Sequence, residues 1–170
     1  MAMNTYLDAK HMANGYSFEP MRTNNFELQI TGAGIRNTDI MLSVASFTAP
    51  NIQQEAIQVH YGNSSVKFAG KPTFADTTIT CNDFIGMDVE KALSDWQKQA
   101  YNYESGEVGY AHEYKKEAVL IEYDTKGNPK RQWRIIGCWI SSLNLGQFSQ
   151  EGNQVRQIEC TFVYDLIIPD

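Results

Sequence analysis

A mainly β fold, an antiparallel β-sandwich or barrel-like sheet with one α-helix, is predicted from three observations. Most of the chain after residue 25 alternates apolar and polar residues with a period of two. Short segments rich in Gly, Asn, Asp and Ser separate the alternating runs. Only one segment, about residues 86–101, repeats its apolar residues at helical spacing. Because strands joined by short turns pair antiparallel, the sequence predicts an antiparallel sheet.

Length and charge limit the class of protein. The 170 residues suit one globular domain, which we place at residues 23–170 after a polar N-terminal arm at residues 1–22. The net charge of −6 is opposite to that of a nucleic-acid-binding surface. No apolar run approaches the roughly 20 residues that a membrane helix needs. The start of the chain has neither the basic opening nor the apolar block of a secretory signal, so we expect it to reside first in a cytoplasm.

The first half of the domain is predicted to hold strands and one long hairpin. Alternation defines the first strand and the hairpin, whose turn is Gly62-Asn63-Ser64. Pro50 ends the second strand because proline cannot donate to a ladder, and β-branched residues define the strand after the hairpin. In chain order these segments are residues 26–30, Met41–Thr48, the hairpin at about 53–70, and Thr73–Cys81.

The predicted helix separates the two halves of the sheet. Its charged residues lie opposite an apolar stripe, so the stripe is expected to face the core. The residues expected to pack there, together with one residue of the last strand, are Val89, Leu93, Trp96 and Phe162. A polar loop, expected to be mobile, runs from the helix to about Glu113. The remaining strands are predicted at residues 119–123, 133–139 and 157–166.

Residues that carry catalysis do not form a recognisable constellation. The histidines His11, His60 and His112 fall in the arm, the hairpin and the polar loop, without metal-binding spacing. The three cysteines lack a C-x-x-C pair, so buried reduced thiols are expected. Nucleophile motifs and phosphate-binding glycine loops are also missing from the sequence. We therefore predict no enzyme activity, no metal and no cofactor.

Physical reasoning favours a homo-oligomeric structural protein. The predicted strands contain few of the lysines and prolines that block sheet edges, so an isolated domain would expose edges prone to pairing. Head-to-tail contacts between copies remove those edges by forming closed rings or open filaments. A polar set of side chains in the hairpin is neither apolar nor densely charged: Gln54, Gln58, His60, Ser65 and Lys67.

Several motifs follow one another in a characteristic order over about residues 25–170. They are Pro50, Glu55-Ala56-Ile57-Gln58-Val59, the run from Val66 to Thr78, Asp95-Trp96-Gln97, Glu113-Tyr114-Lys115-Lys116, Ile136-Gly137-Cys138-Trp139, and Gln157-Ile158-Glu159 with Phe162 and Asp165. In this order and spacing the chain resembles the major tail tube protein of contractile-tailed bacteriophages. The fold of that family is similar to the tube proteins of type VI secretion and of phage-like contractile injection systems.

The resemblance implies a protomer of a homohexameric ring. Inner sheets would join into one barrel, and rings would stack helically into a hollow tube that conducts the genome through the sheath. The implied partners are other copies of the chain, the sheath, baseplate and tail terminator proteins, and, in the lumen, the tape measure protein and DNA without sequence-specific binding. The implied location is the virion, after assembly in the host cytoplasm, with no membrane association.

The hairpin is the segment expected to line the channel and to reach the next ring. The polar set Gln54, Gln58, His60, Ser65 and Lys67 is the candidate lumen-facing group. The candidate inter-ring contacts are Tyr61, Gly62, Asn63 and Ser64.

Two alternatives remain open from the sequence. One is the tube of a phage-like injection system. The other, of a different class, is a small carbohydrate- or peptide-binding β-sandwich that uses the aromatic residues between Tyr101 and Tyr114.

Overall fold

A computed structural model describes residues 20–32 and 37–170. The predicted arm therefore lies, up to residue 19, outside the described residues. The elements in chain order are β1 (Phe26–Thr31), α1 (Asn37–Ser43), β2 (Val44–Phe47), β3 (Asn51–Tyr61), β4 (Ser64–Ala75), β5 (Thr77–Asn82), α2 (Val89–Ala100), β6 (Tyr101–Asn102), β7 (Glu107–Val108), α3 (Ala111–Tyr114), β8 (Lys116–Tyr123), β9 (Pro129–Asn144), β10 (Gln157–Val163) and β11 (Leu166–Pro169).

The main sheet has the strand order β1-β8-β9-β10-β5-β2, with β11 also paired to β9, and every pair is antiparallel. Strand β9 pairs with different strands along its length. Residues 133–136 of β9 pair with both β8 and β11, whereas residues 139–144 pair with β10. The predicted mainly β, antiparallel fold is confirmed. In the described part of the chain the sheet stays open between β1 and β2, so one copy does not form a closed barrel.

The region predicted as a strand over Met41–Thr48 is half wrong, because α1 occupies Asn37–Ser43 and only Val44–Phe47 is strand. A short apolar run has too few residues for its period to separate helix from strand. The strand predicted over Thr73–Cys81 is divided at Asp76 between β4 and β5.

The polar segment after α2 is more ordered in structure than the predicted loop. Tyr101 and Asn102 pair with Val108 and Glu107 in a small hairpin, and the helical turn α3 follows. The carboxylate of Glu113 accepts the backbone N–H of Tyr110 at 3.0 Å, which stabilises the start of that turn. Two short helices thus accompany the main helix, which is confirmed at Val89–Ala100 instead of 86–101.

Helix α2 packs its apolar stripe against the sheet. Val89, Leu93 and Trp96 are buried, as is Phe162 of β10, so all four predicted packing residues lie in the core. The indole ring of Trp96 meets the ring of Phe162 edge to face with centroids 5.3 Å apart. Its Nε1 donates a 2.7 Å hydrogen bond to the carbonyl oxygen of Tyr114. One side chain therefore links helix, sheet and the segment before β8.

The three cysteines lie in this core as free thiols. Burial raises the pKa of Cys81 to about 11 and the pKa of Cys138 to about 12, and it also raises the pKa of Cys160. Because the thiolate is the reactive form, these side chains are inert at neutral pH.

Gly137 marks the point where β9 changes partners. It forms a bulge opposite β8, its φ is +70°, and a Cβ built on it lies 2.2 Å from Oδ2 of Asp165. That carboxylate is held over the glycine by Lys115, whose Nζ is 2.6 Å away. A side chain at residue 137 would displace this ion pair.

Gly137→Ala is expected to lower the free energy of unfolding by about 2–3 kcal/mol, since left-handed backbone strain adds to displacement of Asp165. Gly127→Ala is the matched control, because Gly127 has a φ of +81° but open space around its Cβ position. Urea unfolding of both variants would measure the difference. Equal losses at residues 127 and 137 would contradict a role for the contact with Asp165.

Candidate assembly surface

The β3–β4 hairpin projects from the body of the protein. It forms a two-stranded sheet of its own, in which strands of 11 and 12 residues would reach roughly 35 Å. The hairpin continues the β2–β5 pair, since the N–H of Thr48 donates to the carbonyl of Thr78 at 2.9 Å and Asn51 pairs with Ala75. The observed hairpin, residues 51–75, is longer than the predicted 53–70.

The tip of the hairpin is a tight turn. Tyr61 pairs with Ser64, which leaves Gly62 and Asn63 as a two-residue loop. Gly62 has a φ of +58°, as a type II′ hairpin turn requires at its first central position. The turn predicted as Gly62-Asn63-Ser64 is one residue shorter in the structure, because Ser64 already belongs to β4.

One face of the hairpin is polar. Gln58 lies opposite Lys67, His60 lies opposite Ser65, and Gln54 lies opposite Pro72, so the five lumen candidates share this face. All five side chains are exposed. Nε2 of Gln58 donates a 2.8 Å hydrogen bond to Oγ of Ser65. We define this set as the polar face.

The opposite face is apolar, and sequence reasoning did not single it out. Ile57 pairs with Phe68, and Val59 pairs with Val66. Ile57 is 55% exposed and Phe68 is 51% exposed. The alternation that assigned the polar residues to one side could also have identified this group, since it fills the intervening positions. We define these four residues as the apolar face.

An isolated two-stranded hairpin is at best marginally stable in water, and large exposed apolar surfaces mark interaction sites. Within the described part of the chain the apolar face stays exposed, with only Val59 partly covered. The apolar face is therefore a candidate contact surface for another copy of the chain.

The sheet that carries the hairpin has two open edges. We call its four strands, β9 from Trp139 to Asn144, β10, β5 and β2, the inner sheet. Within the described residues β2 pairs only with β5, and residues 139–144 of β9 pair only with β10. Unpaired edges are templates for strand pairing with another copy.

The aromatic residues considered for a sugar or peptide site do not form one platform. Tyr114 packs edge to face on Trp139, Tyr110 stacks on His112, and Nζ of Lys98 lies 5.2 Å from the ring centre of Tyr103. Tyr101 belongs to the small β6–β7 hairpin. Each ring has a different neighbour, so this alternative gains no support from the arrangement.

The residues that the structure describes contain no group of His, Cys, Asp and Glu side chains placed to hold a metal ion. His60 lies on the hairpin and His112 in α3, while His11 falls outside the described residues. None of the described helices is long and apolar enough to cross a membrane.

Known proteins are similar to this chain in sequence and in fold. The family model for the T4-like virus tail tube protein gp19 matches residues 22–167. Tail tube protein gp19 of Enterobacteria phage T4 is 28% identical over 149 residues, which cover 85% of this chain and 88% of that protein. Its counterpart from Enterobacteria phage T6 is 29% identical over the same share of both chains.

Solved structures show the same fold at low identity. A chain of the sheath-tube complex of an extracellular contractile injection system (PVC) has a TM-score of 0.70 and 18% identity, covering 95% of this chain and 97% of that chain. Hcp1 from Flavobacterium johnsoniae has a TM-score of 0.51 and 8% identity, covering 85% of this chain and 93% of its own. Since the family model spans most of the chain, this protein belongs to the T4-like virus tail tube protein gp19 family, whose members are structural proteins and not enzymes.

Proposed function

We propose that six copies of this chain close into a ring through their inner sheets and that rings stack into the hollow tail tube of a contractile phage. The observation that carries the proposal is the pair of free edges on the inner sheet, at β2 and at residues 139–144 of β9. When β2 of one copy pairs with β9 of the next, every copy uses the same two surfaces. Such a head-to-tail contact can close into a ring.

Strand direction supports this closure. In the inner sheet β10 runs antiparallel to β9, β5 to β10, and β2 to β5, so β2 runs opposite to β9. In a ring, β9 of the next copy has the same direction as β9 of the first copy. Because the inner sheet has four strands of alternating direction, that β9 runs antiparallel to the β2 strand it meets. The joined sheet would then be antiparallel throughout, with four strands from each of six copies and no remaining edge.

The two faces of the hairpin suit a tube wall. The polar face would meet the aqueous channel, and the apolar face would be buried against the neighbouring copy. Among the five lumen candidates only Lys67 carries a fixed positive charge. Each lysine or arginine contact to phosphate strengthens nucleic-acid binding, so a wall with few of them would let DNA pass without retaining it.

The surroundings of the proposed tube follow from relatives. Similar chains come from structures described as a sheath-tube complex, a sheath/tube terminator and a baseplate. We propose that the sheath covers this tube, that terminator and baseplate proteins bind its ends, and that tape measure protein and DNA occupy its lumen. The tube would be part of the virion and would be assembled in the host cytoplasm. A tube of a phage-like injection system would use the same contacts with other cargo.

Light scattering during gel filtration and negative-stain imaging of the purified chain test this function. We expect rings or hollow tubes that grow more abundant as the protein concentration rises. A well-folded monomer at every concentration and ionic strength would contradict the proposal. It would favour the small binding module, whose function does not require self-assembly.

A further inference from the structure

Two loops meet at the end of the inner sheet opposite the hairpin. One loop follows Asn82 at the end of β5, and the other, residues 145–156, joins β9 to β10. Gln157 pairs with Asn82, so both loops leave the sheet at the same place. The hairpin leaves β5 at its other end, Thr77, about 20 Å away along six residues of strand.

Large apolar side chains project from these loops. Ile85 is fully exposed, Phe148 is 80% exposed, and Phe84 and Val155 are also exposed. We call these four residues the far-end surface. Scattered exposed apolar residues are common, but a group on adjacent loops at one end of a sheet marks an interaction site.

Arg156 holds the two loops together. Its Nε lies 3.0 Å from Oδ2 of Asp83, and its guanidinium also pairs with the carboxylate of Glu90 in α2. The N–H of Asp83 donates to the carbonyl of Arg156 at 2.9 Å. The guanidinium lies 5.0 Å from the ring centre of Phe148.

The contacts of Arg156 join the two loops at their bases and hold the ring of Phe148 before any partner binds. A surface whose loops are already held in place loses less conformational entropy on binding than one that must first become ordered. The charged side chains of this contact, Asp83, Glu90 and Arg156, are paired with one another, so covering them leaves no lone charge without a partner.

From this geometry we infer that the far-end surface receives the hairpin tip of a second copy in the adjacent ring. The inference rests on the proposed tube, because a stack of identical rings brings the hairpin end of one ring to the opposite end of the next. The tip suits an apolar surface: Gly62 and Asn63 carry no charge, and the neighbouring Tyr61 is exposed. Contacts between different ends of one molecule repeat without closing, as a growing tube requires.

Ile85→Asp and Phe148→Asp test the inference, since neither exposed side chain contributes to the core. We expect each variant to fold and to form rings of normal size, while tubes become at least tenfold shorter in negative-stain images. Val108→Asp is the control, because Val108 is 75% exposed but lies on the small β6–β7 hairpin. Its tubes should keep their normal length.

A cross-link gives a second readout. The native thiols are buried, so Asn63→Cys combined with Ile85→Cys introduces the only accessible pair among the described residues. Mild oxidation of assembled tubes should join copies into covalent ladders, whereas Asn63→Cys with Val108→Cys should yield monomers.

Normal tubes from both aspartate variants, or the absence of ladders, would overturn the inference. Loss of rings in those variants would also overturn it, because it would place the far-end surface in ring closure. Failure of the unsubstituted protein to form rings would instead contradict the proposed function.

Discussion

Trp96→Ala is expected to lower the free energy of unfolding by about 3–5 kcal/mol. The side chain is only 1% exposed and lies between α2 and β10. Its removal leaves a cavity and also leaves the carbonyl of Tyr114 without the indole N–H that now bonds to it. The loss would weaken the packing of α2 on the sheet and its link to the segment before β8, although Val89 and Leu93 stay in the core.

Two controls separate the contributions in Trp96→Ala. Trp96→Phe retains an aromatic ring against Phe162 but removes the hydrogen bond, so we expect an intermediate loss. Gln99→Ala changes an exposed residue of the same helix and should alter stability by less than about 0.5 kcal/mol. Urea unfolding at concentrations where the protein is monomeric is the appropriate measurement. An unchanged midpoint for Trp96→Ala would contradict its role in the core.

The double variant Ile57→Asp, Phe68→Asp is expected to abolish ring formation while leaving the monomer folded. These residues are cross-strand partners on the apolar face. Losing the burial of both side chains would weaken each contact by about 3–6 kcal/mol, or two to four powers of ten in the association constant. The body of the protein should keep its melting temperature, because neither side chain belongs to the core cluster.

The matched control places the same two charges on the polar face, as His60→Asp with Ser65→Asp. His60 and Ser65 are also cross-strand partners without a fixed charge, so the two double variants introduce the same change in net charge and a similar repulsion within the hairpin. Rings should form from this control. Analytical ultracentrifugation of both variants decides the question. Rings from the variant of Ile57 and Phe68 would contradict burial of the apolar face in the ring. Loss of rings from the control would show that the contact is not specific to the apolar face.

Elements whose signal is local could be predicted from the order of residues alone. A period of two along the chain identified the first hairpin and the strands near residues 119–139, and a helical period identified the inward stripe with Trp96. The same alternation identified the polar face, since residues two apart on a strand point to one side. The order of motifs indicated the tail tube family, which the family model confirms.

Features that depend on residues far apart in the chain are visible only in the folded protein. No local pattern indicates that β9 divides its length between two sets of partner strands, or that the carboxylate of Asp165 lies over Gly137. Arg156 pairs with Asp83 and with Glu90, 66 residues away, and so joins the two loops of the far-end surface to each other and to α2. A periodic pattern records which side of its own strand a residue occupies, but only packing determines whether another part of the chain covers that side. For the apolar face no described residue does so, and this makes an apparently ordinary hairpin the candidate assembly surface.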